Sequence, residues 1–121
     1  MYQFNDCGVC TNADRTDLRR MTYYEIAQHN GLYISGYSLY YNDGGCGTPC
    51  SIYSKHFGTR KECRDNVLDQ MERQAIKERG WYERAAHESY KASIKACNDI
   101  LACIKKERNK SRQPVQLELF A

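Results

Sequence analysis

Cysteine is the residue type in this chain with the most chemistry open to it. Seven occur in 121 residues, at positions 7, 10, 46, 50, 63, 97 and 103. Cys7-Gly-Val-Cys10 is a CxxC turn and Cys46-Gly-Thr-Pro-Cys50 a CxxxC turn, with 35 residues between them. A tetrahedral zinc ion takes four thiolates from two short turns, and glycine between the ligands eases each turn. The pattern therefore predicts one structural zinc held by Cys7, Cys10, Cys46 and Cys50. The rival reading is a set of reduced, partly buried thiols. Disulfides fit less well, because seven is odd and the opening MYQFNDCGVC lacks the basic-then-apolar order of an export signal. A reducing, cytoplasmic setting is expected.

No nucleophile stands at a recognisable spacing from a base. His29, His56 and His87 are scattered, and each reads as a packing or surface histidine. No enzymatic activity is expected. The other outlying count is ten tyrosines. In a strand over residues 32–41, alternation puts Tyr33, Tyr37 and Tyr41 on one face with Ser35 and Leu39. Ile34, Ser38 and Tyr40 take the other face. Helices can cover only one side of a small sheet, so Tyr33, Tyr37 and Tyr41 are predicted as a surface contact face, for protein or for stacked bases. Lys55 is the sole basic residue between Tyr23 and Phe57, which leaves direct nucleic-acid binding by the sheet an open alternative. The net charge of +3 argues against an acidic DNA mimic.

Two kinds of element must position these residues. Seven of the eight glycines and eight of the ten tyrosines lie in residues 1–58, whereas 59–109 holds one Gly, no Pro and many Ala, Glu, Lys, Arg and Gln. The first part reads as strands and loops, the second as helix. Asn30-Gly31 inside TYYEIAQHNGLYISGYSLYY predicts a hairpin, since both residues accept positive φ. The rival is a short helix capped by Thr22 and Glu25 and ended by Gly31. The turn cluster NDGGCGTPC follows, and Ser51–Phe57 alternates as a third strand. Thr59 with Glu62 makes a capping box. Cys63, Val67, Leu68, Met71 and Ala75 then form one apolar stripe. Ala86, Tyr90, Ile94, Cys97, Leu101 and Ile104 form another. Gly80 lies between them, marking either the turn of a helical hairpin or a kink in one long helix. The fold class is α+β: a three-stranded antiparallel sheet followed by two helices. Residues 1–109 are read as one domain, and 110–121 as a flexible tail that Pro114 keeps from continuing the helix. Residues 105–112 carry five Lys or Arg against Glu107 alone.

Three large apolar side chains in that tail gain nothing in water, so they are expected to dock. Gln116-Leu117-Glu118-Leu119-Phe120 resembles the linear peptide with which bacterial replication and repair proteins bind the DNA sliding clamp. The family pattern is Gln-Leu-(Ser/Asp or similar)-Leu-Phe. The resemblance implies that Gln116 hydrogen-bonds at the edge of the clamp pocket and Leu117 fits beside it. Leu119 and Phe120 would fill its apolar centre. Glu118 replaces the usual smaller residue, a departure that bears on affinity. The strand-rich half leading to Phe57-Gly-Thr-Arg-Lys-Glu also resembles, at the level of element order, integrase arm-binding domains, though without their basic strands.

Together these features predict a non-enzymatic interaction protein tethered to the sliding clamp, an accessory factor of DNA replication or repair or of a phage or plasmid. The alternative is a phage-type, anti-CRISPR-like inhibitor that binds a host nuclease or defence complex. No run of about 18 apolar residues exists, and mean hydropathy is -0.78, so no membrane helix is expected.

Overall fold

The computed structural model describes residues 1–42 and 44–110. Among these, strands β1 (Asp14–Arg19), β2 (Thr22–His29), β3 (Leu32–Tyr40) and β4 (Gly45–Thr48) precede helices α1 (Arg60–Ala85) and α2 (Lys91–Lys110), an α+β arrangement. The strands form one antiparallel meander in the order β1-β2-β3-β4.

The Asn30-Gly31 hairpin forms as its dipeptide predicts. Both residues take positive φ, 55° and 78°, and His29 pairs with Leu32 across a two-residue turn. The sheet has four strands where three were expected, and the strand after the hairpin is not Ser51–Phe57. Gly45–Thr48, from within the turn cluster, pairs with Tyr37–Tyr40. Ser51–Phe57 contributes two isolated bridges, Val9 to Ser51 and Tyr33 to Phe57, around a turn closed by Ser54 N–H donating to Ser51 O.

Gly36 explains this path. A Cβ there would lie 2.3 Å from the Cys50 amide nitrogen and 2.6 Å from Thr48 O. The chain leaves the outer edge of β3 after Thr48, crosses the sheet against the bare Gly36 backbone, and returns to the edge at Phe57. The crossing puts Cys50 and Ser51 on the face opposite the helices, where the N-terminal segment meets them.

Thr59 caps α1, its Oγ1 accepting from Glu62 N–H at 3.2 Å. The helix runs straight through Gly80, whose cost of about 1 kcal/mol a 26-residue helix absorbs. It ends at Ala86, left-handed at φ 50°, whose amide donates to Tyr82 O. A 3-10 turn over Glu88–Tyr90, capped by the His87 ring, leads into α2. The turn between the helices thus falls at Ala86–His87, six residues beyond Gly80, and Ala86 is exposed rather than at the head of the second stripe.

Cys63, Val67, Leu68, Met71 and Ala75 of α1 and Cys97, Ile100 and Ile104 of α2 are fully buried against Tyr24, Ile26, Leu39 and Tyr41. A second, smaller cluster lies on the other face of the sheet. There Ala27 and Ile34 meet Cys10 and Cys50, with Tyr2, Phe4 and Ala13 at its margin.

Candidate functional site

Gln116, Leu117, Leu119 and Phe120 lie outside the described residues. The helix that leads to them is firmly fixed near its last turn. Arg64 Nη2 donates to Glu107 O at 2.7 Å and to Glu107 Oε1 at 3.1 Å, while Arg64 Nε donates to the Tyr24 hydroxyl at 3.0 Å. Tyr24 in turn donates to Glu107 Oε1, so sheet, α1 and α2 meet in one buried polar network. Arg108 reaches Asp69 at 2.7 Å and Glu72 at 3.3 Å on α1. Lys110 stands 3.7 Å from Glu107. Of the described cations in the predicted basic segment, Lys105 and Lys106 are exposed, and Arg108 and Lys110 face carboxylates.

The strand alternation of the tyrosines is as expected, but the face is the covered one. Tyr41 is 2% exposed, and Tyr33 and Tyr37 pack against the helix-side core. The tyrosine face is therefore corrected from a surface to a floor for α1 and α2. The reason is area: Tyr24, Tyr37, Leu39 and Tyr41 together present more apolar surface than Ala27, Ile34 and Gly36 opposite, and the helices take the larger patch. Burial and the nearby Cys46 thiol push the Tyr41 hydroxyl well above its ordinary range.

The structure does not bring the four zinc candidates together. Cys46 sits on the helix side, its Sγ 3.2 Å from the Tyr41 hydroxyl. Cys10 and Cys50 are buried on the opposite side, and Cys7 is exposed in the turn before Cys10. A five-residue CxxxC segment that straddles the Gly36 crossing sends its two thiols to different faces. Among the described residues no group of three or more His, Cys, Asp or Glu is arranged to hold a metal. Burial holds three thiols in their neutral form, pushing Cys50 up to about 12, Cys97 up to about 11, and Cys63 upward as well.

Three arrangements escaped the sequence. His29 and His56 are hydrogen-bonded, Nδ1 to Nε2 at 3.0 Å, with Phe4 edge-on to His29. Histidines 27 residues apart carry no spacing signal. Trp81 is 50% exposed at the C-terminal end of α1, edge-on to Tyr82 and Tyr90 at 5.3 and 5.4 Å. Beside it Lys77, Glu78 and Arg84 rim a hollow of about 390 Å³. Its signal was readable, since Trp81 falls out of phase with the buried stripe of Ala75 and Tyr82. Lastly, the part of the second sheet face left uncovered by the N-terminal segment is an open groove of about 510 Å³. Met21, Tyr23, Glu25, Ser38 and Tyr40 line it, with β4 as its rim. Arg15 lies 3.7 Å over the Tyr23 ring and pairs with Glu25 at 3.3 Å.

No family model, no curated protein and no solved structure matches this chain. No helix among the described residues is long and apolar enough to cross a membrane.

Proposed function

We propose that this chain is an interaction protein that Gln116–Phe120 tethers to the bacterial DNA sliding clamp, holding its folded part beside a DNA-bound partner. The motif itself carries the reading: Gln, Leu, Leu and Phe at the clamp-peptide spacing, in an eleven-residue segment beyond α2. The anchored end of α2 supports it, because a peptide leaving a fixed helix end has a defined origin. The residues between Lys110 and Gln116 span at most about 20 Å when extended, so the folded part stays close to the clamp. Tethering at that range raises the effective concentration of a weak second contact to the order of millimolar. Trp81 with Lys77 and Arg84 is the exposed aromatic-and-cation surface that such a contact would use.

The test is surface plasmon resonance of the full chain on a purified bacterial sliding clamp. The double substitution Leu119→Ala with Phe120→Ala should weaken binding by at least about 100-fold, since each side chain contributes roughly 1.5–3 kcal/mol when buried. Circular dichroism should be unchanged. A double variant that binds like the parent chain sinks the reading.

The half-exposed Trp81 also favours a second reading, in which the chain inhibits a host nuclease or defence complex by protein contact. Under it, inhibition of a purified nuclease survives the tail double variant and is lost in Trp81→Ala.

A further inference from the structure

We propose that Cys10 and Cys50 are an oxidisable cross-strand pair whose disulfide fastens the N-terminal segment to the sheet. The backbone register places them. Ile52 N–H donates to Gly8 O at 2.9 Å and Cys10 N–H donates to Cys50 O at 2.8 Å, on either side of the Val9–Ser51 bridge. This antiparallel register sets Cys10 directly opposite Cys50, with both side chains on one side of the two-stranded pair. Opposed residues of an antiparallel pair have Cα atoms about 4.5–5.5 Å apart, within the range of about 4.4–6.8 Å that a disulfide spans. Burial agrees: the two thiols are 6% and 1% exposed and belong to the same small cluster with Ala27 and Ile34.

The other cysteines are placed differently. Cys7 is exposed at the tip of a turn that the Asn5 side chain organises, accepting from the amides of Cys7 and Val9. Cys46, Cys63 and Cys97 belong to the helix-side core. Neither thiol of the pair is committed elsewhere. Cys10 Sγ lies 3.6 Å from Asn12 Oδ1 and Cys50 Sγ 3.7 Å from Ile34 O, weak contacts that cost little to break.

The segment to be fastened has no ladder of its own in the sheet. Residues 1–13 form no strand or helix and reach the rest of the fold through the Val9–Ser51 bridge, the small cluster around Ala27 and Ile34, the Phe4–His29 ring contact and the Tyr2–Asp14–Arg60 contact. A covalent link closing a loop of about 40 residues would restrict the unfolded chain strongly at this point.

The oxidant is a small-molecule disulfide such as oxidised glutathione. One cysteine, as thiolate, attacks a sulfur of the disulfide and releases one glutathione thiolate. The second cysteine then displaces the other glutathione, forming the Cys10–Cys50 bond. Two electrons pass to the oxidant, and the two cysteine protons end on the two released glutathione thiols. Burial keeps the Cys50 thiol protonated near neutrality, so closure is slow there and speeds up as pH rises.

The experiment incubates the full chain in glutathione redox buffers, quenches with alkylating agent in denaturant, and maps the cross-linked peptides by mass spectrometry. Expected are a product 2 Da lighter that joins the peptides containing Cys10 and Cys50, and a urea midpoint about 1 M higher than that of the reduced chain. The same linkage should form in a Cys7→Ser chain, which loses only an exposed thiol. A dominant Cys7–Cys10 or Cys50–Cys63 linkage overturns the proposal. So does a chain that carries glutathione on Cys7 alone while Cys10 and Cys50 stay reduced.

Discussion

Among the described residues Glu107 is the one buried acidic side chain, and it accepts from both Arg64 and Tyr24. Removing it takes the carboxylate partner from a guanidinium whose side chain is 17% exposed and leaves it only the Glu107 carbonyl and the Tyr24 hydroxyl, so Glu107→Ala should destabilise by about 2–4 kcal/mol. Glu107→Gln, which still accepts from Arg64, should cost less. Urea titration of both variants orders them. The buried thiols make a prediction about pH. Burial raises Cys50 to about 12 and Cys97 to about 11, above the ordinary thiol value of 9.0. The folded chain therefore keeps protons that the unfolded chain gives up. The associated stability is fully present below pH 9 and is lost as pH rises through the folded values. Urea midpoints should fall between pH 9 and pH 11, and a Cys50→Ala chain should show a shallower fall. An unchanged slope would show that this thiol does not ionise on unfolding.

Two glycines make opposite predictions about their elements. In α1, a Cβ at Gly80 would meet only the end of the Arg84 side chain at 3.2 Å. Gly80→Ala should thus stabilise by about 0.5–1 kcal/mol, read as a higher thermal midpoint. In β3, a Cβ at Gly36 would strike backbone at Cys50 and Thr48. Gly36→Ala must push the crossing segment off the sheet, and should destabilise by about 2 kcal/mol or more. Hydrogen exchange should speed up at Cys10 and Ile52, whose amides bond across that segment. Equal midpoints for the two variants would contradict the crossing path. At the start of α1, Thr59→Ala should cost about 1 kcal/mol.

For the whole molecule, the distribution of charge matters more than its net value of +3. Arg15, Arg19, Arg60, Arg64, Arg79 and Arg108 all face carboxylates, so more than half of the ten arginines have a carboxylate competing with phosphate for them. A mobility-shift titration of the full chain with duplex DNA should show weak binding at low salt and none at moderate salt. Its logarithmic salt slope should be shallow, as for the few phosphates that the neighbouring Lys105 and Lys106 could reach. A tight complex with a steep slope would mean that the folded part grips DNA directly.

Local signals were enough for the elements that local physics decides. Asn30-Gly31 marked its turn, Thr59 and Glu62 marked the start of α1, and five stripe residues from Cys63 to Ala75 marked its buried face. Each depends on neighbours within a few positions along the chain. What no local pattern could show was which side of the sheet the helices would cover. Alternation sorted Tyr33, Tyr37 and Tyr41 onto one face correctly, but that assignment is symmetric until the two faces compete for the helices. The strand Gly45–Thr48 was equally hidden, because Gly-Cys-Gly-Thr pairs through its backbone and carries the composition of a turn. The cysteines followed from neither pattern. Their spacing suggested four thiols around one ion, while the crossing at Gly36 divides Cys46 from Cys50 and lays Cys10 against Cys50. Residues far apart in sequence meet only where the whole chain has chosen its path, and that choice rests on which faces bury the most apolar area.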